Sequence, residues 1–132
     1  MGTVKISVKH TGGTASEAAI RKHILPIDRS EAKGGTDTGA MGGEIFLAGL
    51  GGCFMSNLLA AIDARGIEAS GLFVEIAAEL AEKPSRFSDI TMTVSGTYAD
   101  RKEMEKMIII AERGCIVANT IKNAVNLKVE LA

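Results

Sequence analysis

The sequence has no tryptophan, one tyrosine and four phenylalanines, so aromatic side chains make up 4% of the chain. A protein this poor in rings lacks the stacking platforms on which single-stranded nucleic acids are held. Neither sign of charge is in excess: 15 Lys and Arg stand against 16 Asp and Glu, a formal net charge of −1. That argues against a nucleic-acid binder and against a polybasic protein held on an anionic membrane. Long apolar runs are missing too. The longest stretch without a polar side chain is Ile45–Met55, 11 residues, where a bilayer span needs about 20. Met1–His10 shows no charged segment followed by an apolar block and a cleavage site. A cytoplasmic protein, off the membrane, is therefore expected.

Cysteine and histidine are scarce, two of each. Cys53 and Cys115 stand 62 positions apart (115 − 53), and with His10 and His23 they form no metal-ligand spacing. No metal is expected. The glycine-rich stretch carries neither a phosphate-binding nor a dinucleotide-binding fingerprint, so no nucleotide cofactor is expected either. In a reducing compartment a permanent disulfide is not expected, which leaves the two cysteines as buried fillers or as reactive thiols.

What is present is an ordinary globular composition, 46% apolar and 23% charged over 132 residues. One domain spanning residues 1–132 is expected, large enough to fold without a staple. Val4, Ile6 and Val8 alternate with polar residues and read as a half-buried strand. Thr11–Thr14 is a turn. Residues 18–28 read as extended, with Pro26 marking an edge or an end. Lys33–Gly43 holds five glycines and reads as a flexible loop, the kind of place where sites sit.

Glu44–Arg65 reads as a helix that is apolar almost all round, stopped by Gly66. Gly49, Gly51 and Gly52 weaken it by about 0.5–1 kcal/mol each relative to Ala, which implies close approach of another backbone. Leu72–Leu80 and Ile90–Val94 alternate as the two arms of a hairpin. Asp100, with Glu103 three residues on, caps a helix whose stripe is Met104, Met107, Ile108 and Ala111, ending at Gly114. A short helix begins at Cys115, and Val125, Leu127, Val129 and Leu131 form a last strand. Strands and helices are segregated, so the class is α+β.

Cys115, at a helix start, is expected to have a lowered pKa. Cys53, in an apolar helix, is expected to be inert unless a cation reaches it. Arg21 is the candidate cation and Glu44 the residue to orient it.

These residues also carry a resemblance. Gly39–Phe54, around the first cysteine, resembles the signature of the OsmC/Ohr proteins, the osmotically inducible and organic-hydroperoxide-resistance family. Ala64–Glu75 resembles the family's passage from central helix to hairpin, and Ala111–Ile121 the segment holding its second cysteine. The resemblance implies a long central helix wrapped by antiparallel sheet, in an intertwined homodimer with two sites at the subunit interface. It implies that Cys53 attacks an organic hydroperoxide and that Cys115 resolves the sulfenate as a disulfide. A dithiol, often lipoyl, is the implied reductant. Where peroxidase members carry Pro-Glu ten residues before the first cysteine, this chain has Gly43, and Glu44 lies nine before. No Arg lies near Ser16, where the family's activating Arg would fall; Arg21 is the nearest. A non-catalytic protein holding a small apolar ligand is the alternative reading.

Overall fold

The computed structural model describes residues 2–123, 126–128, 130 and 131. The chain falls into two compact units, Met1–Leu47 and Ala48–Ala132.

The first unit is an antiparallel meander of β1 (Ser7–Gly12), β2 (Ala15–Ile20) and β3 (His23–Ile27), in the order β1-β2-β3. Residues 18–28 are not one extended run. Arg21 and Lys22 form a tight turn, with Arg21 at φ +54°, between two paired strands. Pro26 sits in β3, an edge strand, where its missing N–H costs nothing. The expected first strand starts later than the alternation implies. Pairing begins at Ser7↔Ala19, so Val4 and Ile6 precede the sheet, and Val8 is exposed rather than half-buried.

The glycine-rich segment is tied down, not loose. Asp28 is 3% exposed, and its carboxylate accepts from Thr14 Oγ1 at 2.6 Å, Thr36 Oγ1 at 2.7 Å and Thr38 Oγ1 at 2.8 Å. It also accepts from the backbone N–H of Arg29 at 2.7 Å and of Thr38 at 3.2 Å. Five donors satisfy a buried charge, and the three threonine hydroxyls hold this carboxyl well below the usual carboxylate range. The Asp28 N–H donates to Ala40 O at 3.1 Å, beside a parallel bridge between Ile27 and Ala40. Glycine is required by this close packing: a Cβ on Gly35 would strike the Arg29 backbone, and one on Gly39 the Pro26 backbone.

Helix α1 (Gly42–Ala64) begins two residues earlier than the reading from Glu44 and ends before Gly66, which takes φ +62°. By length and composition alone it is apolar enough to cross a membrane, although no polar-free run in it reaches 20 residues. In the second unit its Leu50, Phe54, Leu58, Ala61 and Ile62 form a stripe at spacings of three and four. That stripe packs on the antiparallel hairpin β4 (Ala69–Ala81) and β5 (Arg86–Tyr98), through Leu72, Val74, Ile90, Met92 and Val94. Such packing is that of a core helix.

The hairpin arms are longer than their alternation suggested, and one residue departs from the pattern. Leu80 is 78% exposed, and beside it the register shifts: Glu79 pairs with Asp89 and Leu80 with Phe87, leaving Ser88 of β5 as the extra residue. The slip shows in β5 itself, where Phe87 and Ile90, an odd number of residues apart, are both half-buried. Helix α2 (Arg101–Gly114) starts at Asp100, whose carboxylate accepts from the N–H of Lys102 at 2.8 Å and of Glu103 at 3.4 Å. It places Met104, Met107 and Ala111 in the core. Helix α3 (Ile116–Asn123) follows after a single residue, Cys115. Of the expected last strand, Leu127 and Leu131 lie outside any strand and are exposed, while Val125 and Val129 lie outside the described residues.

The whole is α+β: a long helix with antiparallel sheets and two further helices.

Candidate functional site

Both cysteines belong to the second unit and both are free thiols. Cys53 is half-buried on α1, directly after Gly51 and Gly52. Of the three helix glycines, Gly51 is the one with a neighbour in its own unit. A Cβ there would strike Ile76 Cδ1, so the close approach is by a side-chain tip and not by a backbone. Gly49 and Gly52 face open space.

Cys115 is placed by the break between α2 and α3. Its φ of −80° and ψ of 110° are extended, so the chain leaves one helix and starts the next around it. The residue is 0% exposed. Its Sγ accepts from the Ala118 N–H at 3.4 Å, taking the place of a capping hydroxyl at the start of α3.

The electrostatics reverse the sequence expectation for the two thiols. The N–H of Val117, at the start of α3, lowers the pKa of Cys53; the thiol of Cys115 and the N–H of Ile116 act in the same direction against the cost of burial. Cys115 sits at the same helix start, yet its pKa is raised, first by burial and further by the neighbouring Cys53. The physical reason is partition. One sulfur can be ionised within this small cluster; α3 amides face both, and the deeper burial of Cys115 leaves the proton there. Cys53 therefore has its thiolate favoured by backbone amides, a source of positive potential that leaves no mark in the sequence. Cys115 is left as a thiol that donates toward it.

Asn57, one turn on from Cys53, was not singled out by sequence. Its Nδ2 donates to the Cys53 carbonyl at 3.0 Å and lies 3.9 Å from Cys53 Sγ. The i, i+4 spacing was the available signal. The other two candidates stand in the first unit. Arg21 is exposed at the tip of the β2–β3 turn. Glu44 lies in the first turn of α1 and accepts from the Met41 N–H at 2.9 Å.

Phe54, next to Cys53 in sequence, and Ala118, three residues after Cys115, line a cleft of about 370 Å³ whose walls include Leu50, Ile90, Met92 and Ile108. The ion pair of Glu112 and Lys122 belongs to the same cleft and ties α2 to α3. The lining suits an apolar or amphipathic molecule. Among the described residues no group of three or more His, Cys, Asp or Glu is placed to hold a metal ion.

An α+β chain with one long helix, a long hairpin and a buried two-thiol cluster defines a class, and comparison with known proteins gives it a family. The profile of the OsmC-like protein family matches residues 35–130, most of the chain, and the protein belongs to that family. No curated protein sequence matches it. Among solved structures, the fold is similar to an OsmC-like protein from Mycoplasma pneumoniae, with a TM-score of 0.81 at 15% identity, covering 92% of this chain and 88% of that one. It is similar to a hypothetical protein from Aquifex aeolicus, TM-score 0.81 at 14% identity, covering 97% and 93%. It is also similar to the organic hydroperoxide resistance protein OhrB of Bacillus subtilis, TM-score 0.65 at 22% identity, covering 99% and 98%.

Proposed function

We propose that the protein is a thiol-dependent peroxidase of organic hydroperoxides, acting in peroxide or osmotic stress, with Cys53 as the attacking and Cys115 as the resolving residue. The observation that carries this reading is the division of labour between the two sulfurs. Cys53 has its thiolate favoured by the Val117 and Ile116 amides, and Cys115 stays protonated within hydrogen-bonding reach of it. Support comes also from the family and from neighbours named for organic hydroperoxide resistance.

The chemistry runs in three steps. The Cys53 thiolate attacks the terminal oxygen of ROOH; the O–O bond breaks, and the alkoxide leaves and takes a proton as ROH. Cys53 is now a sulfenic acid. Cys115 sulfur then attacks the Cys53 sulfur, the S–OH bond breaks, and water leaves with the Cys115 proton. Two electrons from a dithiol, of which a lipoyl group is one kind, reduce the disulfide by exchange. The cleft that Phe54 lines, which neither cysteine lines, serves in this reading as the place for an apolar R group.

The reading takes the chain as a single OsmC-like domain in the cytoplasm, working as a homodimer with its sites at the subunit interface. Arg21 and Glu44 enter it as an activating pair, expected to matter less than the α3 amides.

The test is consumption of cumene hydroperoxide with dihydrolipoamide as reductant, in wild type, Cys53→Ser and Cys115→Ser. Turnover is expected in wild type and lost in both variants. With hydroperoxide alone, Cys115→Ser is expected to over-oxidise Cys53 to the sulfinic acid. Wild type that leaves the hydroperoxide untouched overturns the reading and favours a protein that holds an apolar ligand in its cleft. Arg21→Ala and Glu44→Gln at full activity would remove that pair from the account.

A further inference from the structure

Asn57 is a half-buried polar side chain on a helix that is otherwise apolar almost all round. Asparagine is also among the poorer helix formers, costing roughly 0.5 kcal/mol or more against leucine at an interior position. Its place in the fold offers a reason. It lies one turn after Cys53 on the same face, and its Nδ2 carries two hydrogens. One is used on the Cys53 carbonyl at 3.0 Å, and the sulfur lies 3.9 Å from the same nitrogen. On the far side, a Cβ at Gly114 would come within 3.5 Å of Asn57 Oδ1 and 3.8 Å of Cγ. A methyl there would make ordinary van der Waals contact, so the last turn of α2 passes beside the carboxamide without pressing on it.

We propose that Asn57 is a positioning residue for Cys53: its carboxamide, anchored on the Cys53 carbonyl, directs its second N–H at Sγ, fixing the sulfur's rotamer and favouring the thiolate. The carbonyl anchor matters because it sets the side chain before the sulfur ionises, so no rotamer freedom has to be lost at that moment. A neutral N–H donor strengthens its hydrogen bond when the acceptor gains a charge. Being neutral, it also does so at every pH, and no second titration is superimposed on that of the thiol. The Asn57 amide, from α1, and the amides of Ile116 and Val117, from α3, then supply donors to the sulfur from two different helices. The proposal rests on the reading of Cys53 as the attacking thiol.

The experiment is the pH profile of Cys53 alkylation by iodoacetamide, resolved at the peptide level, in wild type, Asn57→Leu and Asn57→Asp. Asn57→Leu removes the donor, keeps the size and improves helix propensity, so the helix is retained. Its Cys53 is expected to react about tenfold more slowly at pH 7 and at the wild-type rate once both are fully ionised, the signature of one hydrogen bond to a charged group. Asn57→Asp is expected to shift the profile further toward high pH, because a carboxylate repels the thiolate. A merely structural role would lower the melting temperature or change the high-pH plateau and leave the midpoint in place. An unmoved midpoint in both variants overturns the proposal. Alkylation needs no hydroperoxide, so the two claims fail separately. Shifted midpoints in a protein that leaves hydroperoxide untouched support Asn57 and overturn the peroxidase reading. Unmoved midpoints in an active peroxidase overturn Asn57 alone.

Discussion

If backbone amides rather than a cation favour the Cys53 thiolate, removing one amide hydrogen should be felt at the sulfur and nowhere else. Ile116→Pro does this. Ile116 is the first residue of α3 and its side chain is 76% exposed, so little packing is lost. Proline is at home at the first helical position, where its missing N–H breaks no intrahelical bond. The residue before a proline must be extended, and Cys115 already is, at φ −80° and ψ 110°. Stability should hold, or rise slightly from the stiffer unfolded chain. What is lost is the Ile116 N–H that faces Cys53, the lesser of the two α3 amides acting on it. A hydrogen bond to a charged group contributes about 1.5 kcal/mol at the lower end. That corresponds to about tenfold in ionisation, and a lesser donor gives roughly three- to tenfold. The assay is peptide-resolved iodoacetamide labelling of Cys53 from pH 5 to 10, with a melting curve alongside. The expected result is roughly three- to tenfold slower labelling at pH 7 with an unchanged melting temperature. An unchanged labelling profile would refute the claim that the start of α3 activates Cys53.

Three further outcomes are expected. Gly51→Val drives a branched side chain into Ile76 and should destabilise the protein by about 1–3 kcal/mol, read as a lower denaturant midpoint; no loss would mean the contact relaxes freely. Asp28, with its pKa depressed in the folded state, contributes stability that is complete above the unfolded carboxylate value of about 4 and is lost as pH falls below it. Asp28→Asn should therefore melt lower at pH 7 and lose less on acidification to pH 3; parallel acid limbs would contradict this. Size-exclusion with light scattering should give about twice the mass of one chain. Phe46, Leu59 and Phe73 are each about half-exposed, and a second copy would cover them; a monomer would reject the dimer.

Much of the fold was legible because its elements carry local chemistry. The period-two runs of β4 and β5, the Asp100 cap with the Met104–Met107–Ala111 stripe, and Gly66 after α1 each state their structure within a few residues. The Arg21–Lys22 turn was not legible, because it has no Gly, Asn, Asp or Pro to mark it. The bulge at Ser88 was not legible, because a bulge is a property of the pairing and not of one strand. The Asp28 cluster was missed because Thr14, Asp28, Thr36 and Thr38 are scattered until the chain folds. At the site, both cysteines were legible, but the backbone amides beside Cys53 were not. Arg21 is a visible charge in the sequence, while the amides of Ile116 and Val117 are a charge that exists only once α3 has formed. The same holds for the raised pKa of Cys115, which comes from a burial that its place at a helix start does not reveal.

The central claim is that Cys53 and Cys115 form a working redox pair. A timed intact-mass and free-thiol measurement, on reduced protein given one equivalent of cumene hydroperoxide, tests it most directly. The account predicts loss of both thiols within seconds and a decrease of about 2 Da per chain, two hydrogens for one intramolecular disulfide. Two thiols and an unchanged mass after several minutes would contradict it.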